Sequence, residues 1–548
     1  MSLLEKNLNT LGKRLIIDNF HTYALNAQAA IKYSKDNSPI PIITTEQQSA
    51  TLHSMYNASA EAQKITESYH NKKGFYIFLG LGAGYHIREI LHKDNITKAI
   101  IIENDSTILF ELFKCIDYSD IFINRQIYLY CDVQPQVIGT AFKNYFNAII
   151  DKHCYVFPLR SRTNFIDKNY FEICAQIVEA TIQAIASDYA VQAQFGYQWI
   201  KNIFKNLMQL TAKKFILPKE NVLIIGAGPS LEDNIGVIRE LHATHWLLAT
   251  DTSLGCLLTY GVFPDAVISI DCQHYSTMHF LHKLPVSTIV FLDIASPPSL
   301  ARSFSNKFFF GSFHPLCVYC HTATHGFPLI DCSGGNVLAA ACDLAAALGA
   351  QSAVVYGADF SYPQGKLYAR ETYIYNLFIS QETKLTPATL LWLKLLFRTP
   401  ITKVQVTKFN DKSFRYETEL MNMYHDALQQ KINTYATKFF FHSEYGLPIY
   451  DKREAGSTQA IKKITNTAID TISFMQTYHE KLNKLISCVA EDNKLPELEP
   501  ETEAIFVTIE PFLAFLVKRN PGISMLQALK LAQSVIKNEL AKTNRCCH

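Results

Sequence analysis

Two segments of this chain share one local plan, in which an apolar run meets a glycine turn and then a helix-forming stretch. Residues 75–79 lead into Gly80-Leu81-Gly82-Ala83-Gly84, and the pattern that follows sets Ile87, Ile90 and Leu91 on one helical face. A further apolar run, 99–102, ends in Glu103. The plan returns at residues 222–225, which lead into Gly226-Ala227-Gly228-Pro229-Ser230, a helical stretch, and the run 246–249 before Asp251. Short unalternating apolar runs are strands covered on both faces, and helices supply that cover in parallel sheets. Residues 266–270, 288–292 and 353–356 add three more such runs to the second segment. The fold class is therefore α/β, with two Rossmann-like parallel-sheet domains.

The flanking segments read differently. The first seventy residues are polar and are expected to be helical, with a break at Ser38-Pro39-Ile40-Pro41. Residues 170–210 contain no proline and carry Phe195, Trp199, Ile203 and Leu207 at four-residue spacing, the mark of one long helix stripe. Residues 215–219 are expected to open the second α/β domain. Toward the C-terminus, 460–486 and 524–540 read as helices, separated by the proline- and acid-rich stretch 494–503. At about 100–200 residues per domain, the 548 residues divide into an N-terminal Rossmann-like domain (1–165), a central domain (166–455) and a helical C-terminal domain (456–548).

Composition removes several classes of function. A net charge of +2 lacks the basic excess of nucleic-acid binders. No apolar run reaches the roughly 18–20 residues that span a bilayer. The N-terminus, broken by Glu5, Lys6, Lys13 and Arg14, has no signal-peptide core. A cytoplasmic protein without a membrane span is expected. The 13 cysteines are odd in number and scattered, so they read as small buried apolar residues. Cys317-Val318-Tyr319-Cys320-His321 matches the haem-attachment pattern by chance, since attachment would require export. Cys546-Cys547-His548 reads as a loose end.

Three segments carry chemistry. Gly226, Gly228, Pro229 and Ser230 form either a bare tight turn or a phosphate cradle: glycine admits close approach, Pro229 suits a first helical turn, and Ser230 with Asp233 has capping-box spacing. Ser333, Gly334, Gly335 and Asn336 precede an alanine-rich helix and offer donors to a carboxylate, phosphate or base. Asp251, Asp271 and Asp359 each follow a strand, where side chains point into the crevice of an open parallel sheet. Gly80–Gly84 with Glu103 downstream looks like a cofactor loop, but its spacing departs from the dinucleotide pattern, and a scaffold without cofactor is expected.

Taken in order, Ile225-Gly226-Ala227-Gly228-Pro229-Ser230-Leu231, Pro264-Asp265 through Ile270-Asp271, Ser333-Gly334-Gly335, and Gly357-Ala358-Asp359 resemble the motility-associated Maf family, and more distantly the bacterial sialyltransferases. The resemblance runs from about Trp199 to Asp451, and Gly82-Ala83-Gly84-Tyr85-His86 is similar to the family's N-terminal domain. It implies a glycosyltransferase that moves a nonulosonic acid from a CMP donor to a serine or threonine of flagellin, with flagellin as protein partner. No metal and no cofactor beyond that donor would be required. It implies that Gly226 to Ser230 line the phosphate, Asp251 and Thr252 meet the nucleotide, Ser333 to Gly335 face cytidine or the sugar carboxylate, and Tyr362 and Tyr368 steady the leaving phosphate. The histidine base of sialyltransferases is missing from residues 362–373, so His274, just after Asp271, is the candidate base. A similarity to an archaeal hydroxymethylpterin pyrophosphokinase implies the alternative of ATP and Mg²⁺ chemistry. A non-catalytic flagellin-binding factor is the third reading.

Overall fold

The computed structural model describes residues 1–18, 20, 27–408, 411–453, 462–489 and 498–546. Cys547, His548, Ala460, Ile461, the expected domain boundary near 455 and the first part of 494–503 lie outside the described residues. The chain forms two compact units, Met1–Gln192 and Ala193–His548.

The first unit holds a five-stranded parallel sheet in the order Leu15–Ile17, Ile127–Cys131, Ile96–Glu103, Gly74–Leu79, Cys154–Pro158. Alternate residues of the Gly74–Leu79 strand go to opposite faces: Tyr76 and Phe78 join one core, Phe75 and Ile77 the other. The expectation of a helical first seventy residues fails over Gln28–Tyr33, Pro39–Thr44 and Ser49–Thr51, which form a three-stranded antiparallel sheet. The prolines do not break that sheet. Pro39 opens its strand, the Pro41 carbonyl accepts the Leu52 N–H, and a fixed φ suits extended backbone.

The glycine loop of this unit is filled by its own chain. The Leu81 N–H goes to Glu103 and the Ala83 N–H to His53 Nε2 at 3.0 Å. Arg162, 0% exposed, holds Glu103 at 2.9 Å and also pairs with Asp167. A Cβ on Gly82 would sit 2.6 Å from His53 Nε2. Glu103 is thus the counter-ion of a buried arginine, which accounts for it without a cofactor ribose.

The second unit is built on seven parallel strands: β1 (Asn221–Ile225), β2 (Trp246–Thr250), β3 (Ala266–Ser269), β4 (Ile289–Asp293), β5 (Lys307–Phe310), β6 (Ser352–Tyr356) and β7 (Lys438–His442). Their order is β5-β4-β3-β2-β1-β6-β7. The chain winds one way from β1 and returns on its other side at β6, so a crevice opens at the carboxyl ends of β1 and β6. The helix Val337–Ala347 lies against β1, β2 and β3, and its buried Ala339, Ala340 and Ala345 permit the close approach. Ile235–His242 and Leu254–Thr259 cover the other face.

The long helix is Lys168–Leu207. Residues 213–216 do not simply lead into the sheet: Lys213–Ile216 pairs with Lys463–Asn466, so the helix expected from 460 starts only at Thr471. Three C-terminal helices follow, Thr471–Cys488, Pro500–Arg519 and Met525–Cys546. The middle one was hidden by its acid- and proline-rich start. Pro500 occupies a first-turn position and Glu501 and Glu503 sit at the positive end of the helix dipole. Among the described residues no helix is long and apolar enough to cross a membrane.

His86 is completely enclosed in the first unit and stacks on Phe157 at 5.1 Å. Burial pushes its pKa well below the usual 6.5, and the neighbouring His53 pushes it the same way. Below that pH the unfolded chain binds a proton that the folded chain refuses, so stability falls with pH by about 1.4 kcal/mol per unit. Thermal melts between pH 7.5 and 5.5 should show this loss, and His86→Leu should flatten the slope.

Candidate active site

The glycine turn after β1 is tied to the end of β6. Gly226 N–H donates to the Tyr356 carbonyl at 2.8 Å and Gly228 N–H to the Gly357 carbonyl at 2.9 Å. Ser230 N–H donates to Asp359 Oδ2 at 2.9 Å, and Leu231 N–H to the Gly228 carbonyl at 3.0 Å. Pro229 has no N–H to give. The N–H groups of Gly226, Gly228, Ser230 and Leu231 are therefore spent on the chain itself. The Ser230–Asp233 capping box does not form: Gly228 is the cap of the six-residue 3-10 turn Pro229–Asn234, and no side chain caps it. The Ser230 hydroxyl lies buried beside Asp359.

Asp359, 2% exposed, also accepts the Ser443 hydroxyl at 2.6 Å, and burial raises its pKa above the usual carboxylate range. Asp251, 4% exposed, accepts the Ser269 hydroxyl at 2.6 Å and the Thr252 N–H at 2.7 Å, which ties the end of β2 to β3. Both acids serve as anchors of strand ends. Asp271 is half-buried; burial raises its pKa, the Gln273 N–H opposes this, and the Asp251 charge adds to it.

Next to Asp251, at the carboxyl ends of β2 and β3, lies a cavity of about 260 Å³ lined in part by Thr252. Thr252, Tyr275, His279, His282, Glu371 and Tyr373 are among the residues lining it. His279 meets Tyr373 edge-on at 4.3 Å, and its Nδ1 is buried without a hydrogen-bond partner. His274 is elsewhere. It is exposed at the start of the 3-10 turn His274–Phe280, and it is not among the residues lining the cavity. At three residues per turn, a step of five residues carries a side chain two-thirds of the way round. The histidine run 274, 279, 282 was visible in the sequence; which member faces inward was not.

The Ser333–Asn336 loop lies at the start of the alanine-rich helix. Asn336 accepts the Ala339 N–H at 2.9 Å as its cap and donates to the Gly334 carbonyl at 3.0 Å. Ser333 is exposed, and its N–H goes to Asp331, which pairs with Lys431 at 2.7 Å. Gly335 has φ +72, and a Cβ there would lie 2.8 Å from the Tyr424 ring. Tyr362 and Tyr368 are half-buried, and burial pushes the Tyr368 pKa up to about 12. Cys317 and Cys320 are buried in the helix Pro315–Thr324, and His321 Nδ1 is bound to the Phe327 carbonyl, so the haem-like motif is core packing. Among the described residues no group of three His, Cys, Asp or Glu side chains is placed to hold a metal ion.

Comparisons with known proteins fall on both units. Residues 16–155 match the glycosyltransferase Maf N-terminal domain, and residues 197–365 match the MptE-like family, described as 6-hydroxymethylpterin diphosphokinase MptE-like. Two uncharacterized proteins of Treponema pallidum (strain Nichols) are 36% identical over 106 residues and 31% identical over 176 residues. These alignments cover 19% and 30% of this chain and 50% and 61% of the relatives, so the chain spans about half the length of the curated relatives it matches. The structure of the Maf glycosyltransferase from Magnetospirillum magneticum AMB-1 aligns with a TM-score of 0.58 over 99% of this chain and 95% of that one, at 13% identity, a likeness of fold.

The close approach of β1 and β6 sets an expected outcome. A Cβ on Gly228 would lie 2.3 Å from Asp359 Oδ2, whereas one on Gly236 meets nothing within 4 Å. Gly228→Val should cost about 3 kcal/mol or more through overpacking and a displaced buried carboxylate. Gly236→Ala, on an exposed helix position, should add up to about 1 kcal/mol. Thermal unfolding of the two variants checks both signs.

Proposed function

We propose that this chain, which carries the Maf N-terminal domain ahead of an MptE-like domain and so belongs to the Maf family, is a glycosyltransferase working at the β2–β3 cavity. The finer reading is transfer of a pseudaminic- or legionaminic-type nonulosonic acid from CMP to a serine or threonine of flagellin, in the cytoplasm, in support of motility. The observation that carries it is His279, with its buried unpartnered nitrogen in a cavity lined in part by Thr252, next to Asp251. The acceptor hydroxyl attacks the anomeric carbon, the bond from that carbon to the CMP phosphate breaks, and CMP leaves with the electron pair. His279, in place of His274, takes the hydroxyl proton. Tyr362 and Tyr368 hydroxyls steady the leaving phosphate, with Thr252 on the nucleotide.

The MptE-like match keeps a second reading in view, pyrophosphate transfer from ATP with Mg²⁺. Against it, Asp251 and Asp359 already give their oxygens to Ser269, Thr252, Ser443 and Ser230. Carboxylates committed in this way are poor ligands for a hard cation, which supports a donor with one phosphate and no metal requirement.

The test is transfer from a CMP-nonulosonic acid to purified flagellin, read by intact mass. Transfer should persist in EDTA. His279→Gln should lower kcat by about 10²–10⁴-fold, with CMP affinity kept, while His274→Ala stays near wild type. Loss of transfer in EDTA, restored by Mg²⁺, would instead favour the diphosphokinase-like chemistry. Flagellin binding without transfer by the wild type would make the chain a binding factor.

A further inference from the structure

The strand-end acids of the second unit are already engaged. Asp251 and Asp359 accept serine hydroxyls, and Asp271 Oδ1 accepts the Gln273 N–H at 2.8 Å. Glu371 is different. It lines the β2–β3 cavity, and of the described residues that line it Glu371 alone bears a carboxylate. Among the described residues neither an ion pair nor a hydrogen bond engages that carboxylate.

The backbone of Glu371 is held where side chains are rarely found. Its φ is +65, in the left-handed region that a non-glycine residue enters at a cost. The chain on both sides is pinned. Ala369 N–H donates to the Ala227 carbonyl at 3.0 Å, and Arg370 N–H donates to Glu232 at 2.7 Å. Thr372 is fully enclosed, and its carbonyl accepts the Asn376 N–H at 3.2 Å as the helix Tyr373–Ser380 begins. Between these anchors the Glu371 carbonyl rests on Gly255, where a Cβ would collide with its oxygen. A strained residue that its surroundings over-determine marks a functional position. Glycine at 371 would give the same backbone without the cost. What glutamate adds over glycine is a carboxylate in the cavity.

A carboxylate accepts hydrogen bonds and donates none, and it repels a second anion. The group that meets Glu371 is therefore neutral and brings O–H donors. Two neighbouring hydroxyls match the two carboxylate oxygens, as when an acid holds a ribose in an open parallel sheet. We propose that Glu371 is a specificity residue of the transfer site: it binds adjacent hydroxyls of the ribose or of the transferred sugar, and it turns the donor's anionic groups away from that wall. This rests on the reading of the cavity as the transferase site.

The full chain, as wild type, Glu371→Gln and Glu371→Gly, is melted and then titrated calorimetrically with CMP, 2′-deoxy-CMP, CMP-N-acetylneuraminic acid and ATP. Glu371→Gly should melt at or above wild type, since glycine relieves the left-handed backbone. Both variants should weaken binding by about tenfold or more, the loss of hydrogen bonds to a charged group. A fall for CMP, with 2′-deoxy-CMP bound weakly and equally by all three proteins, assigns the ribose. A fall for the CMP-sugar alone, with CMP unchanged, assigns the sugar hydroxyls. If ATP alone binds and both variants weaken it, the role of Glu371 stands and the CMP reading fails. If every ligand binds wild type and variants equally, the role of Glu371 is overturned while the transferase reading survives. A Glu371→Gly that melts well below wild type shows a packing role and overturns it too. Failure of wild type to bind any of these ligands overturns both.

Discussion

The second unit depends on the contact between two glycine-bearing strand ends. Gly226 and Gly228 come so close to Gly357 that a single Cβ at either position would collide with its carbonyl oxygen, at 2.5 and 2.8 Å. Asp359 then closes the junction by binding Ser230 on one side and Ser443 on the other. The junction sits where the winding of the sheet reverses. It fixes the height and spacing of β1 and β6, and with them the crevice along the carboxyl ends of the strands. A buried carboxylate is costly unless its oxygens are satisfied, and the two serines together with the close backbone approach satisfy this one.

The first unit solves the same local problem in another way. Its glycine loop is also filled from within, but by a buried arginine: Arg162 holds Glu103 and Asp167, and His53 caps the Ala83 N–H. In both units glycine permits one part of the chain to approach another. A strand–glycine–helix pattern states that something comes close to the backbone; it does not state whether that is a ligand or the protein.

Much of the fold was legible because burial writes itself into local pattern. The runs at 75–79, 222–225 and 246–249 are strands, each covered on both faces, as unalternating Val, Leu, Ile and Phe require. The stretches that misled had mixed signals. Residues 28–51 are polar on their exposed face and carry two prolines, yet pair as a sheet. Pro500–Arg519 begins with the same prolines and acids that mark linkers. In each case tertiary partners outweighed a weak local preference.

The site divides along the same line. By itself the sequence determined the α/β class, the positions of the parallel strands, the two glycine turns and the resemblance to the Maf family, because each is carried by residues adjacent in the chain. Only the tertiary structure decided that the N–H groups of Gly226, Gly228 and Ser230 and the carboxylates of Asp251 and Asp359 are already bound, and that His279 and not His274 lines the cavity. Those facts join residues many positions apart, and a hydrogen bond or an ion pair depends on distance in space, which spacing along a chain does not specify.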